Sequence, residues 1–308
     1  MIRALVALVL ALPLVACASA PPPLSGGKVI ATRGGDTYVR DWGDTAGPAV
    51  LMIHGTTSHL VDFDVALGKE LGGKYRLLAY DRPGMGRSTK RPNDAAQLAV
   101  QADTAADVIR AEHPDGPVVV VGHSYGGAVA LRLALDHPEL VSGLVLLAPA
   151  SHPWGGSAPF FYTLESTPVL GEILTTLAWP FSGAVARGSL KDRAFAPLPV
   201  PPGYFEQAEV KLALRPHALR ATAADFSALP KQMEAQAARY GELTMPIVTI
   251  QGEDDRVVPV RLIRAKSAFS HGKVVFVPGA GHMVQHAAPE IVDREIGWVL
   301  EEAAKTPH

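Results

Sequence analysis

Short, mainly apolar runs recur along the chain, separated by longer stretches with apolar residues three and four apart. Ala49–Ile53, Arg76–Tyr80, Val118–Val121, Leu140–Leu147, Ile247–Gln251 and Lys273–Val277 are such runs, and each predicts a strand. Runs without polar alternation suit strands buried on both faces. Tyr38–Trp42 reads as a further strand. Among the longer stretches, Ala95–Glu112 places Leu98, Ala102, Ala105, Val108 and Ile109 on one helical face. Ala128–Asp136 reads as a helix stopped by Pro138, and Glu290 to about Glu302 as a closing helix. Strands alternating with helices predict an α/β fold, a mostly parallel β-sheet with helices on both faces.

From His152 to Met245 the alternation stops. The interval has no clear buried strand and is too long for a loop, so the pattern predicts a helical cap inserted after the Leu140–Leu147 strand. It carries 11 of the 20 aromatic residues, and its eight acidic and eight basic residues balance. An apolar, charge-neutral cap suits a small or medium apolar ligand. Trp154, Phe160, Phe161, Trp179, Phe181 and Phe226 are the expected lining of a cavity beneath it, unless they form the cap's own core. The resulting organisation is a signal segment (1–16), a tether (17–33), a core in two parts (34–151 and 246–308) and the cap (152–245).

Composition narrows the partners. With 48% hydrophobic and 19% charged residues, the 308-residue chain can bury a large core. Its 28 basic and 30 acidic residues give a net charge of −2, which removes the electrostatic basis for nucleic-acid binding or for a polybasic membrane surface. The oligomeric state is left open.

The N-terminus reads differently. One basic residue precedes an apolar run from Ala4 to Ala16, too short to span a bilayer and interrupted by Pro13. It ends Leu14-Val15-Ala16-Cys17, and Cys17 is the only cysteine. This resembles the lipobox of bacterial lipoproteins, which implies cleavage before Cys17, lipidation of its sulfur and anchoring in the cell envelope. Ala18, where an aspartate would favour the inner membrane, points by that family's sorting to the outer one. The alternative is an ordinary secretory signal cut after Ala20, giving a secreted or periplasmic protein.

Candidate chemistry centres on Gly122-His123-Ser124-Tyr125-Gly126, which follows the Val118–Val121 strand and opens a helix. A Gly-x-Ser-x-Gly turn in that context lifts the serine above the sheet edge at a helix N-terminus. Here the chain resembles the α/β-hydrolase superfamily, in its capped, serine-nucleophile branch, from about Gly34 to Ala303. The resemblance implies Ser124 as nucleophile. It makes Asp255, in Gly252-Glu253-Asp254-Asp255-Arg256-Val257-Val258-Pro259, the triad acid, with Asp254 as the alternative. His282, in Gly279-Ala280-Gly281-His282, becomes the base, and His286 is expected near the site's mouth. His54-Gly55-Thr56-Thr57 matches the oxyanion loop. Thr56 and Tyr125 N–H are the expected donors, His54 and Gly55 hold the loop, and Asp81–Ser88 supports it.

His54, His59, Asp62 and Asp64 crowd one segment without zinc-binding spacing, and no dinucleotide or Walker motif occurs, so no metal and no cofactor is expected. The expected activity is hydrolysis of an ester or related acyl bond. Lactonase, thioesterase, C–C hydrolase and cofactor-free perhydrolase chemistry use the same triad, and a non-catalytic ligand-binding lipoprotein is the reading of a different class. A serine nucleophile disfavours the dehalogenase and epoxide hydrolase branches, whose nucleophile is a carboxylate.

Overall fold

The computed structural model describes residues 22–305 apart from 114, 154–159, 259, 267–268 and 270–271. The proposed signal segment, Cys17 and Trp154 lie outside the described residues. Among the described residues eight strands form one sheet, ordered β1-β2-β4-β3-β5-β6-β7-β8. They are β1 (Gly27–Thr32), β2 (Gly35–Gly43), β3 (Ala49–Ile53), β4 (Arg76–Tyr80), β5 (Val118–His123), β6 (Val141–Leu147), β7 (Ile247–Gly252) and β8 (Gly272–Val277). β1 and β2 run antiparallel at one edge, and β4 through β8 are mutually parallel.

The expected tether therefore ends sooner than its pattern suggested. Gly27–Thr32 pairs with β2 through a tight turn at Arg33-Gly34. As an edge strand half open to solvent, it lacks the unbroken apolar run of the central ones.

Helices cover both faces. On one lie α2 (Leu98–Glu112) and α3 (Tyr125–Asp136). On the other lie α1 (Val61–Leu71) and α11 (Pro289–Lys305). The pleat sorts each run between them: Val118 and Val120 face the first core, Val119 and Val121 the second. Leu144 and Leu146 alternate with Val145 and Leu147 in the same way.

Between β6 and β7 stand α4 (Phe160–Glu165), α5 (Pro168–Ser189), α6 (Tyr204–Gln207), α7 (Val210–Ala213) and α8 (Pro216–Ala237). α5 and α8 each run 22 residues through an internal proline, Pro180 and Pro230. The cap has a small core of its own around Phe195, Tyr204 and Phe205, closed by Met283 from the body beneath it. α9 (Val260–Lys266) and α10 (Val284–Ala287) are short helices following β7 and β8.

Candidate active site

Ser124, Asp255, His282 and the His54–Thr57 loop each sit past the C-terminal end of a parallel strand, where loops of an open α/β sheet converge. Ser124 follows β5 with φ 53° and ψ −117°, a backbone state that an L-residue occupies at a cost of about 1–3 kcal/mol. Three hydrogen bonds hold it there. Ser124 N–H donates to Leu147 O at 2.9 Å, and Ser124 O accepts from Gly127 N and Ala150 N, each at 3.0 Å. Gly126 is required at the turn, since a Cβ there would stand 2.0 Å from Ile53 O.

His282 Nε2 lies 2.9 Å from Ser124 Oγ, and its Nδ1 lies 2.8 Å from Asp255 Oδ2. With Nδ1–H donated to the carboxylate, Nε2 is left to accept the serine proton. Asp255 is itself fixed. Its Oδ1 accepts from Val257 N at 2.7 Å and Val258 N at 3.0 Å, and Oδ2 also accepts from Gln251 Nε2 at 2.8 Å. Burial works to raise its pKa, but His282 and the donated hydrogen bonds prevail and hold the carboxyl below its ordinary value. Of the two adjacent aspartates, Asp254 is exposed to solvent and Asp255 is the one bonded to His282.

The His282 loop packs tightly under the cap. A Cβ on Gly281 would stand 2.3 Å from Ala196 O, and Met283 N–H donates to Ala194 O at 3.1 Å. His123 supports the same loop, its Nε2–H donating to His282 O at 3.2 Å. Burial, then the neighbouring His282, push the His123 pKa down to about 3, so it is a neutral donor.

The His54–Thr57 loop follows β3 and lies against the serine turn. The position of a Cβ on Gly55 would be 3.1 Å from Ser124 Cβ. Thr56 and Tyr125 line the same cavity as Ser124. His54 Nδ1–H donates to Gly55 O at 2.7 Å, and Nε2 accepts from Arg82 N at 3.0 Å. Burial, then Arg82, hold the His54 pKa far below its ordinary value, so the ring stays neutral and serves to brace the loop.

Arg82 completes the brace. Fully buried, it donates Nε–H to His54 O at 3.0 Å and Nη2–H to Gly55 O at 3.1 Å, and its guanidinium lies 4.4 Å from the Tyr125 ring centre. Its charge is met by Asp225 of α8 at 2.7 Å, whose other oxygen takes Arg91 at 2.6 Å. A cap helix thus holds the loop beside the nucleophile through one buried ion pair.

A second buried polar cluster was not foreseen. Asp62, at the start of α1, accepts from Tyr204 Oη–H of the cap at 2.6 Å, from His286 Nε2 at 2.9 Å and from Gln285 Nε2 at 3.0 Å. Burial alone would raise its pKa, but His286 and the Tyr204 hydroxyl outweigh it and set the carboxyl far below the ordinary range. His286, expected near the mouth, is instead buried on Asp62 beneath the cap. The other members of the crowded segment diverge: Asp64 pairs with Arg40 at 2.6 Å, and His59 Nε2 bonds Glu209 O at 3.2 Å.

Above Ser124 lies a cavity of about 520 Å³. Phe226 lines it as expected, stacked 4.9 Å from Tyr162, with Leu229 and Leu190 beside them. Trp179 and Phe181 do not line it. α5 packs on α4 and α8 with the small residues Gly171 and Thr175 buried, its Ala186 lines the cavity, and Phe181 is 71% exposed. The side chains of Phe160 and Phe161 lie outside the described set. The aromatic enrichment is divided among cavity lining, cap core and outer surface.

Comparison with known proteins agrees with this architecture. The chain is 30% identical over 257 residues to pimeloyl-(acyl-carrier protein) methyl ester esterase of Nitrosomonas europaea, covering 79% of this chain and 92% of that protein. It is 26% identical over 293 residues to a bifunctional esterase/perhydrolase of Acinetobacter calcoaceticus, covering 88% and 98%. A thermophilic esterase from Thermogutta terrifontis superposes with a TM-score of 0.70 at 20% identity, over 90% of this chain and 98% of that one. The family model for the alpha/beta hydrolase fold matches residues 48–289, a span that contains the serine turn, the acid, the histidine and the whole cap. The chain is a member of the α/β-hydrolase family.

Proposed function

We propose that this hydrolase is a serine esterase acting on an apolar substrate of small to medium size. The observation that carries the reading is the continuous hydrogen-bonded path Ser124–His282–Asp255, opening into a cavity lined in part by Phe226, Tyr162, Leu229 and Leu190. Ser124 attacks the acyl carbon while His282 Nε2 takes its proton. The developing oxyanion is received by Thr56 and Tyr125 N–H. His282 then protonates the departing alcohol, and water, deprotonated by the same nitrogen, releases the acid. Asp255 holds the imidazole tautomer and stabilises the imidazolium without taking its proton. The relatives described as esterases support the bond class, and lactones and thioesters fit the same steps.

The location is proposed on separate grounds. Residues 1–16 act as a cleaved signal, and a lipid-modified Cys17 anchors the mature chain in a bacterial envelope membrane. The short apolar run, the lone cysteine and Pro21-Pro22-Pro23 after it support this reading.

A fluorophosphonate probe tests the chemistry. It should label the wild-type chain at Ser124, and Ser124→Ala should lose both labelling and turnover, the latter by on the order of 10⁶. A Ser124→Ala chain that keeps a tenth of wild-type rate would overturn the nucleophile. A panel of p-nitrophenyl esters, lactones and thioesters then ranks the bond classes.

A further inference from the structure

Nine large apolar side chains are strongly exposed among the described residues, and six of them lie on α5: Val169, Leu170, Ile173, Leu177, Phe181 and Val185. Five of them, Val169, Ile173, Leu177, Phe181 and Val185, recur in steps of four and Leu170 falls beside them, which forms a band winding gradually along one side of the helix. Two more, Leu198 and Val257, sit in the cap and on the cavity lining. Only Val29 stands elsewhere. Scattered exposed aliphatics need no explanation, but a contiguous stripe on one helix marks an interaction surface.

The helix does not lack a partner on its inner side. It packs on α4 and α8, and Gly171 and Thr175 are buried there. Its last turn belongs to the active-site cavity through Ala186 and Ser189, and the short segment that continues it adds Leu190, Arg193 and Ala194. One helix therefore carries the apolar outer stripe and part of the wall above Ser124.

The described chain begins beside the cap. Pro22 O accepts from Arg87 Nε at 3.3 Å, and Arg87 also pairs with Glu209 of the cap at 2.8 Å. Leu24 N–H donates to Tyr38 Oη at 2.7 Å, fixing the strand entry beside Arg87. The 21 residues preceding Pro22, with the apolar run Ala4–Ala16 and Cys17, thus join the molecule at the base of the cap. Charge on the helix is sparse. Glu172 is the sole acid in α5 and Arg187 its sole base, and Arg187 is paired with Glu206 of the cap at 3.1 Å. A helix this long and apolar, with an exposed apolar stripe, suits a lipid interface.

We infer that the outer face of α5 docks in the interface of a phospholipid bilayer, and that substrate dissolved in that bilayer reaches Ser124 along the cavity wall to which the same helix contributes. The docking stands on the surface alone. The substrate route rests on the esterase reading above.

The test uses the full chain, reconstituted in vesicles of phosphatidylethanolamine and phosphatidylglycerol. Bimane attached at Phe181→Cys should be quenched several-fold more by lipids brominated in their acyl chains than bimane at Val29→Cys. Equal quenching at the two sites would overturn the docking. The pair Leu177→Glu and Phe181→Glu should leave turnover of a water-soluble short-chain p-nitrophenyl ester unchanged, and lower hydrolysis of a vesicle-embedded long-chain ester by about tenfold or more. An unchanged rate on embedded ester would overturn the route. A wild-type chain inactive on every ester would end the esterase reading, while the bimane comparison still decides the docking. Sedimentation of a vesicle-free dimer that Phe181→Glu dissolves would assign the stripe to a second copy and overturn the bilayer.

Discussion

Replacing Asp225 by alanine removes the only carboxylate bonded to the buried Arg82 guanidinium among the described residues. Arg91, the other partner, is partly exposed and can turn to water. Arg82 cannot, because it is fully buried and held by the carbonyls of His54 and Gly55. Leaving one member of a buried pair uncompensated costs about 3–5 kcal/mol. With an unfolding entropy of roughly 2.1 cal/mol/K per residue over 308 residues, that is a fall in melting temperature of roughly 5–8 °C. Scanning calorimetry at a fixed rate measures it. Turnover should fall as well, by about 10², since a shift near 1 Å in the His54–Thr57 loop suffices for that loss. The double variant Arg82→Met with Asp225→Leu separates the two effects. It should recover most of the melting temperature, as apolar replacement of a buried pair commonly does, while turnover stays low because the two loop carbonyls have lost their donor. An Asp225→Ala protein melting within about 1 °C of wild type would refute the reasoning, and so would a double variant with full activity.

Two further outcomes follow from the charged groups. Asp255→Asn should lower single-turnover rates by about 10⁴ with the fold intact by circular dichroism, because an amide N–H facing His282 favours the wrong tautomer; a loss under tenfold would remove Asp255 from the mechanism. Asp62 has a folded pKa far below its ordinary value, so its stabilising contribution is complete above the ordinary carboxylate pKa near 4 and is lost as pH falls through the acid range. Asp62→Asn should therefore melt lower than wild type at neutral pH and show a shallower decline below about pH 4, and parallel declines in the two proteins would contradict that role.

The central sheet was legible because its strands are buried on both faces and are therefore mainly apolar. Val118–Val121 and Ile247–Gln251 needed nothing beyond composition and length. β1 escaped notice because an edge strand carries no such requirement, and α1 because it is short and its polar residues, Asp62 and Asp64 at one end and Lys69 and Glu70 at the other, break the apolar pattern. Asp62 is polar by sequence yet buried, through partners at positions 204, 285 and 286. The serine turn and the histidine loop were readable as local motifs, since the backbone geometry each needs is encoded in adjacent glycines. The brace behind them was not: Arg82 meets Asp225 across 143 positions, and no local pattern reports such a contact. Phe181 misled because aromatic enrichment measures how much apolar surface a segment has, and leaves open whether it faces a cavity, a core or the outside.

The position of the cap between β6 and β7 bears on how such a molecule can change. The two strands pair directly, Leu144 opposite Ile247, although the whole cap intervenes in sequence. Bridging their ends is an entropic constraint on the unfolded chain that grows only with the logarithm of the intervening length, about 0.6 kcal/mol for each doubling. Most of that constraint is already present at the present length, so inserting, trimming or exchanging cap segments barely alters the closure cost. The limit on such changes is local: a new segment must still offer an acid to Arg82 and a hydroxyl or its equivalent to Asp62. A junction of this kind lets substrate preference drift by recombination of the roof while the parallel sheet and its loops stay as they are.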